Sequence, residues 1–296
     1  KTAYEIPKRD WSSNVCSSDL SVQDALPTPK EYAYFAREMG FPATAITDHG
    51  RMGGVIEFVE ACRNPYKDYA PIKPIIGCEI YTCADMTVKE SVIRADGSRG
   101  RPKHNHLTLL ATNEAGYRNL LRIASIAAEE GYYYEPRVDW QIIEKYNEGI
   151  IALSGCLASE VNQALLKGDE EQAEKIARRF KDVFGDRYYV ELQYHGIPEQ
   201  KQNLSKLVRI AKAVDAPIVA SNDVHYLKPE DWRVHDLLIG MRDISSDRVN
   251  RGKKEAYGSH QFYLKSAEEM QKIFNAKPED RKSTRLNSSH VSESRM

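Results

Sequence analysis

The sequence contains no apolar run that approaches the roughly 18 residues of a membrane-spanning helix. Its first residues lack the charged-then-apolar layout of a secretory signal peptide. It also lacks an excess of either charge, because 42 basic side chains balance 43 acidic ones and the formal net charge is -1. A dedicated nucleic-acid-binding surface usually carries a basic excess. We therefore expect a cytoplasmic protein with no membrane contact and no extended basic surface.

Cysteine is scarce, with five residues in 296, and the number is odd. The five are irregularly spaced, at Cys16, Cys62, Cys78, Cys83 and Cys156. In a chain of this size such a pattern argues against a disulfide framework and predicts a reducing compartment. The length allows one large domain or two small ones.

Both ends differ in composition from the middle of the chain. Residues 9–20 (RDWSSNVCSSDL) and 282–296 (KSTRLNSSHVSESRM) are rich in Ser and Asn and have no helical or strand period. Flexible termini are the ordinary interpretation, but both strings also resemble translated sequencing-adapter read-through. We therefore expect residues 1–20 and 282–296 to be non-native or disordered, and one domain to span residues 21–281.

Between these ends, short β-rich runs alternate with segments that have helix signals. The predicted strands are 41–47, 74–81, 106–111, 149–153, 188–192 and 217–220. Their mostly continuous apolar character is typical of strands buried on both faces of a parallel sheet. Helices are predicted from a capping box at residues 28–31 to Gly40, over 113–130, 169–184 and 198–214, and from a second capping box at residue 266. The alternation indicates an α/β fold with a parallel sheet, open or closed.

Potential ligand residues cluster at the ends of these predicted strands. They are Asp48 and His49, Glu79, Cys156, His195, and Asp223 with His225; His106 is the exception because it starts its run. In an α/β barrel the carboxyl ends of the strands form one mouth, where active sites lie. A barrel with a multi-metal site at its mouth is therefore favoured over an open sheet.

Each candidate also has an ordinary structural explanation. Asp48 and His49 could be a helix cap and a packed core histidine, and Asp223 with His225 could belong to an Asx turn. Glu79 lies in an apolar run, so either a salt bridge or a metal must compensate its charge.

The remaining candidates are more evenly balanced. Cys156 alone is more simply a small buried side chain, and His106 could equally be a core histidine. His195 is expected to be structural, and the other histidines to lie on the surface or on helices. The tyrosines at 132–134 and 188–189 are expected in core and strand positions rather than in base stacking.

Several motifs together resemble the PHP (polymerase and histidinol phosphatase) domain of bacterial DNA polymerase III alpha subunits. The metal motifs are AITDHG at 45–50, KPIIGCEIY at 73–81, HLTLLA at 106–111, IALSGCL at 151–157 and SNDVHY at 221–226. Segments between them, NEAGYRNL at 113–120, YEPRVD at 134–139 and QFYLKS at 261–266, resemble the alpha subunit specifically. The resemblance extends over nearly all of residues 21–280.

This resemblance implies a distorted seven-stranded (β/α) TIM-like barrel with up to three divalent ions, zinc or manganese. It assigns the ligand roles to Asp24, His49, Glu79, His106, Cys156, Asp223 and His225. Asp48 would lie in the next layer and orient its neighbour. The family's first motif, a His-x-His just before Ser21, is missing, since residues 16–20 read CSSDL. We therefore expect the barrel to lack its first strand.

The function implied is that of an N-terminal fragment of a replicative DNA-directed DNA polymerase, whose catalytic palm is absent here. The PHP domain would be a metal-dependent phosphoesterase or 3′–5′ proofreading exonuclease. Alternatively, it would be a non-catalytic, metal-stabilised platform that docks a proofreading subunit. A free-standing PHP phosphatase is disfavoured by the polymerase-type segments. The implied partners are the rest of the alpha subunit, an exonuclease subunit, the sliding clamp and DNA, with magnesium for the parent polymerase.

Overall fold

The fold is described from a computed structural model that covers residues 13–20, 24–93, 99–100, 103–242 and 258–275. The strands in these ranges are β1 (Ser13–Cys16), β2 (Ala43–Ile46), β3 (Lys73–Thr82), β4 (Val92–Ile93), β5 (Arg99–Gly100), β6 (Asn105–Ala111), β7 (Arg137–Val138), β8 (Ile150–Leu153), β9 (Tyr188–Gln193) and β10 (Ile218–Val224). The helices are α1 (Pro29–Glu38), α2 (Val55–Arg63), α3 (Glu114–Glu129), α4 (Trp140–Lys145), α5 (Glu160–Leu166), α6 (Glu170–Phe184), α7 (Pro198–Ala213), α8 (Trp232–Arg242) and α9 (Ala267–Asn275).

Seven strands close into a barrel. They follow the order β2-β1-β10-β9-β8-β6-β3, and a pairing between β2 and β3 completes the ring. Strand β7 extends the sheet at the end of β3, while β4 and β5 form a separate two-stranded ribbon. The prediction of an α/β barrel is confirmed.

The sheet is mixed rather than parallel, because β6 runs antiparallel to both of its neighbours, β3 and β8. The chain between β3 and β6 passes through the short β4–β5 ribbon, and the described residues of that stretch contain no crossover helix. A parallel return would need such a crossover, whereas an antiparallel one does not. The reversal explains why His106 starts its strand: the beginning of β6 lies at the mouth where the other strands end.

The expectation that the barrel lacks its first strand is wrong. Strand β1 pairs in parallel with β10 on one side and with β2 on the other, with Val15 opposite Asp223 and Ala45. Val15 and Cys16 are buried, so an apolar pair within the Ser- and Asn-rich segment occupies the position of the first strand. The backbone of this strand pairs with β10 and β2. The non-native origin of residues 1–20 and 282–296 and the domain limits at 21–281 stay predictions; residues 1–12 and 276–296 lie outside the described residues.

Helix starts follow the predicted caps. Thr28 accepts a hydrogen bond from the Glu31 backbone N–H while the Glu31 carboxylate accepts one from Thr28, which confirms the capping box. Asn113 and Asp169 cap α3 and α6 with a single bond each, since their side chains accept from the backbone N–H groups of Gly116 and Gln172. Helices α2, α4, α5 and α8 were not predicted. Helix α2 follows its N-cap residue Gly54, which makes no side-chain capping bond.

The hydrophobic core lies in two layers between the barrel and its helices, with a smaller cluster inside the barrel. The inner cluster consists of Val15, Ala45 and Leu153, and it forms a floor of apolar contacts below the mouth. Among the helices that the structure describes, none combines the length and apolar character needed to cross a membrane.

Candidate metal centre

The barrel mouth brings together all seven residues that the sequence nominated as ligands. Asp24 lies in the loop after β1, His49 follows β2, Glu79 lies in β3 and His106 starts β6. Cys156 follows β8, Asp223 lies in β10 and His225 follows it. The chain thus delivers donors from six different strands to one place, which local sequence contacts alone could not do.

One group of donors consists of Asp24, His49 and His225. Oδ2 of Asp24 lies 3.0 Å from Nε2 of His49 and 3.4 Å from Nε2 of His225. Nδ1 of His225 is also 3.7 Å from Oδ1 of Asp223. Potential ligand atoms of the three residues lie within 4.8 Å of one another, a spacing that fits a shared metal ion.

A second group consists of His49, Glu79 and His106, so that His49 belongs to both groups. Oε1 of Glu79 lies 3.7 Å from Nδ1 of His49 and is in close contact with Nδ1 of His106. The Cys156 thiol adjoins this group, with Sγ 3.6 Å from Nδ1 of His106 and 3.9 Å from Oε1 of Glu79. The second group therefore offers imidazole, carboxylate and sulfur donors.

The electrostatics of the cluster reflect carboxylates and imidazoles held together away from water. Burial favours neutral His49, but the carboxylates of Glu79 and Asp24 raise its pKa to about 10. Burial acts in the same way on His225, and Asp223 and Asp24 raise its pKa to about 9. Conversely, burial disfavours ionised Glu79, yet His49 and His106 lower its pKa to about 2. The carboxylates thus attract positive charge, which protons supply here and which a metal ion could supply instead.

The donor chemistry fits a divalent metal. Imidazole, carboxylate and thiolate are the side chains that hold zinc, and imidazole and carboxylate also suit manganese. Two groups that share His49 could hold more than one ion. Burial and the nearby Glu79 raise the pKa of the Cys156 thiol, so this sulfur would need a cation to ionise.

Asp48 contacts the loop after β1 and the backbone of Glu79. Its Oδ1 accepts a hydrogen bond of 2.6 Å from the backbone N–H of Ser18. Its backbone oxygen accepts one from the N–H of Glu79. The carboxylate therefore fixes the loop that leads to Asp24, while its effect on His49 stays a prediction.

Two buried residues near the mouth, Glu191 and His235, were not predicted from the sequence as part of the site. Glu191, in β9, is 1% exposed and accepts hydrogen bonds from the ends of two neighbouring strands. His235, which we expected on the surface or on a helix, is on helix α8 but buried, and its Nε2 donates to the backbone oxygen of Asp24. Glu191 stands in an apolar run, YYVELQ, and a carboxylate in such a run was the signal that identified Glu79.

His195 occupies a structural position, in agreement with the sequence. Its ring is buried, stacks on Phe262 at 4.3 Å and accepts a hydrogen bond at Nε2 from the backbone N–H of Asp223. Burial and the charge of Lys265 hold the pKa of His195 well below its usual value, so the ring stays neutral.

The tyrosines divide between core and surface. Tyr188 is fully buried on β9, in agreement with the sequence. Tyr132 and Tyr134 are about half exposed, so the prediction of core positions is wrong for them. They lie in the turn before β7, where Tyr134 adopts a φ of 63°. Arg137 instead is the buried residue of this region, since its guanidinium binds backbone oxygens of Gly131 and Val88.

Comparison with known proteins defines the class. A family model described as the PHP domain matches residues 15–195, which is more than half of the chain. The chain belongs to the PHP-domain family.

Within that family, the chain is homologous to DNA polymerase III alpha subunits. It is 38% identical over 265 residues to the subunit of Treponema pallidum, covering 88% of this chain and 22% of the relative. It is 40% identical over 233 residues to that of Deinococcus radiodurans, covering 78% and 17%. The subunit of Chlamydia pneumoniae is 34% identical over 297 residues, covering 91% and 23%. The chain spans less than a quarter of the length of these curated relatives.

Two solved structures align with the chain at low sequence identity. An amidohydrolase from Chromobacterium violaceum aligns with a TM-score of 0.45 and 13% identity, covering 73% of this chain and 87% of that one. A Bifidobacterium adolescentis protein proposed to be a metal-dependent phosphoesterase aligns with a TM-score of 0.40 and 16% identity, covering 74% and 88%.

Proposed function

We propose that the barrel mouth is a metal-dependent phosphoesterase site that acts on the 3′ end of DNA. The observation that carries this proposal is the pair of donor groups that share His49, Asp24–His49–His225 and His49–Glu79–His106. Such adjacent groups suit a site with more than one ion, as many phosphodiester-cleaving enzymes have.

The residues of the chain would divide the work. Asp24 and His225 would hold one ion, and Glu79, His106 and Cys156 would hold a neighbouring one. His49 faces Asp24 through Nε2 and Glu79 through Nδ1, and as a neutral imidazole it would ligate one of these two ions. Bound there, divalent ions would supply a water of lowered pKa and positive charge for the phosphate oxygens. Asp223, whose Oδ1 lies 3.7 Å from Nδ1 of His225, would be a further ligand beside the first group, and Asp48 would support the loop that carries Asp24.

The parent polypeptide would be a cytoplasmic DNA-directed DNA polymerase. Homology to alpha subunits supports this assignment. Because the chain covers less than a quarter of these relatives, the polymerase centre would lie in another part of the parent. Zinc or manganese would occupy the PHP site and magnesium the polymerase site. The partners would be the rest of the subunit, an exonuclease subunit, the sliding clamp and DNA.

A second candidate is a non-catalytic platform that stabilises the polymerase and docks a separate proofreading subunit. The observation in its favour is the lack of histidine in β1 and at the residue that follows it. Val15 lies level with Asp223 in the parallel register, and Ser17 follows two residues later on the same face. Because these residues are Val and Ser, neither position offers an imidazole. A site without these donors would bind metal less completely.

The experiment compares three chains for bound metal and for release of nucleotides from a labelled 3′ end. They are the chain as given, the double variant Val15→His/Ser17→His, and that double variant with His225→Ala. The proposal predicts that the double variant binds more metal and cleaves, and that His225→Ala abolishes cleavage. The control is the same double variant with His260→Ala. This change removes an imidazole that pairs with Asp236, so cleavage should remain.

The same measurements separate the two candidates. If the double variant folds and holds metal but releases no nucleotide, the phosphoesterase proposal fails and the platform is supported. If neither the chain as given nor the double variant binds zinc or manganese, both candidate functions are refuted, because each requires a metal site.

A further inference from the structure

Strand β9 supplies no residue to the two donor groups formed by the described residues, yet its Glu191 carboxylate lies inside the barrel. Glu191 is 1% exposed, so its charge needs close polar partners. Those partners come from the strands on either side of β9.

One carboxylate oxygen holds the turn that carries Cys156. Oε2 of Glu191 accepts a 2.9 Å hydrogen bond from the backbone N–H of Gly155, the residue before Cys156. The Glu191 backbone N–H donates a further 2.8 Å bond to Oγ of Ser154. Two consecutive residues at the end of β8 are thereby attached to one residue of β9.

The turn itself leaves little freedom. Gly155 has a φ of 84°, and a Cβ there would lie 2.9 Å from the backbone oxygen of His106. Asn162 donates to the backbone oxygens of both Gly155 and Cys156. The thiol direction therefore depends on how this tightly packed turn is attached.

The other carboxylate oxygen reaches β10. Oε1 of Glu191 accepts hydrogen bonds from Oγ of Ser221 and, at 3.0 Å, from Nε2 of Gln193. Ser221 precedes the candidate ligand Asp223 by two residues and lies on the same face of the strand. The single carboxylate thus joins two strands, β8 and β10, that do not pair with each other.

We infer that Glu191 is a positioning residue that holds the Cys156 turn and the Asp223 strand at the separation needed for Cys156 to ligate a metal ion. This inference rests on the proposed metal site. Strand β9 would then stabilise the positions of its two neighbours, β8 and β10, whereas the other strands of the mouth supply the metal ligands. Partners that orient ligands typically change metal affinity about 10–100-fold when they are removed.

Cobalt(II) is the probe, because a cobalt–thiolate bond has a charge-transfer absorption that reports Cys156 directly. The full chain is titrated with cobalt, and absorbance per bound ion is compared with Cys156→Ala, which defines the signal without the thiolate. Glu191→Ala should abolish this absorption and weaken cobalt binding about tenfold. Glu199→Gln, an exposed acidic position on α7, is the matched control and should match the unsubstituted chain.

Two conservative variants distinguish the effect of the length of the Glu191 side chain from the effect of its charge. Glu191→Gln keeps the length: its amide oxygen can accept from Gly155 while its NH2 donates to Ser221, so the thiolate signal should survive. Glu191→Asp keeps the charge but is one methylene shorter, so it cannot span both strands and the signal should fall. If the Ala variant does not fold, the Asp variant still tests the positioning role of Glu191.

Three outcomes would overturn the inference. They are a full thiolate signal in Glu191→Ala or Glu191→Asp, loss of the signal in Glu191→Gln, and cobalt bound by the unsubstituted chain without any thiolate signal. Absence of cobalt binding by the unsubstituted chain would refute the metal site itself, and the positioning role with it.

Discussion

Gly50, which directly follows His49, is the position where one methyl group should disturb the site most. Its φ is 61°, in the left-handed region that L side chains rarely adopt. A Cβ at this position would lie 2.5 Å from Cγ of Pro136 and 3.3 Å from the Tyr81 ring. Because the proline ring cannot rotate away, Gly50→Ala must displace backbone.

The size of the effect follows from two separate contributions. A left-handed conformation costs a residue with a Cβ about 1–2 kcal/mol. Forcing an extra carbon into a packed region costs about 1–3 kcal/mol more. We therefore expect Gly50→Ala to lower the free energy of unfolding by about 2–5 kcal/mol.

Gly40 provides the matched control, because it shares the left-handed backbone but not the crowding. Its φ is 76°, and a Cβ there meets no described atom within 4 Å. Gly40→Ala should therefore lower the free energy of unfolding by the conformational part alone, about 1–2 kcal/mol. Urea denaturation of both variants, followed by circular dichroism, measures the difference.

Gly50→Ala should also weaken metal binding, whereas Gly40→Ala should not. The Gly50 N–H donates a 2.8 Å hydrogen bond to the backbone oxygen of Glu79, so moving Gly50 shifts His49 against Glu79. If Gly50→Ala were as stable as Gly40→Ala to within about 0.5 kcal/mol, the close packing of Pro136 over the mouth would be refuted.

Three further predictions concern β1, the barrel interior and the turn before β7. Val15→Asp should lower the melting temperature of the metal-free chain, because it removes the apolar contact with Ala45 and Leu153 and buries another carboxylate beside Asp223; an unchanged melting temperature would place β1 outside the barrel. Burial raises the pKa of Glu191 from 4.5 to about 7, so the folded state holds its proton longer than the unfolded state. Unfolding free energy should therefore fall as pH rises between these values, by at most about 1.4 kcal/mol per pH unit, and urea titrations of Glu191→Gln should lack this contribution. Arg137→Met should lower the unfolding free energy by about 3 kcal/mol in urea, because buried backbone oxygens lose their donor, and a change below about 0.5 kcal/mol would contradict that role.

The sequence predicts the candidate site more fully than the sheet that builds it. His49, Glu79 and His225 could be nominated because polar side chains at the ends of apolar runs need a compensating partner, and the structure brings them together. The direction of β6 could not be predicted, because strand orientation depends on which strands pair across the barrel. His106 looked exceptional for that reason alone.

Glu191 and β1 show two other limits of local patterns. Glu191 has the same local signal as Glu79, a carboxylate within an apolar run, but its partners Gly155 and Ser221 are more than 25 positions away in sequence, so no spacing rule connects them. Strand β1 is only four residues long and lies among Ser and Asn, so composition outweighed the buried pair of Val15 and Cys16.

The register of β1 connects the stability of the barrel with the two proposed functions. Val15 contributes to the apolar floor with Ala45 and Leu153, and it also lies level with Asp223 at the edge of the candidate metal site. An imidazole at position 15 would lose apolar contact with the floor, and a bound ion could return that energy only if the imidazole ligated it. An apolar side chain at this position therefore favours a barrel that is stable with fewer metal ligands, which suits a platform. A histidine would make the stability of the barrel depend on the bound metal, which suits a phosphoesterase.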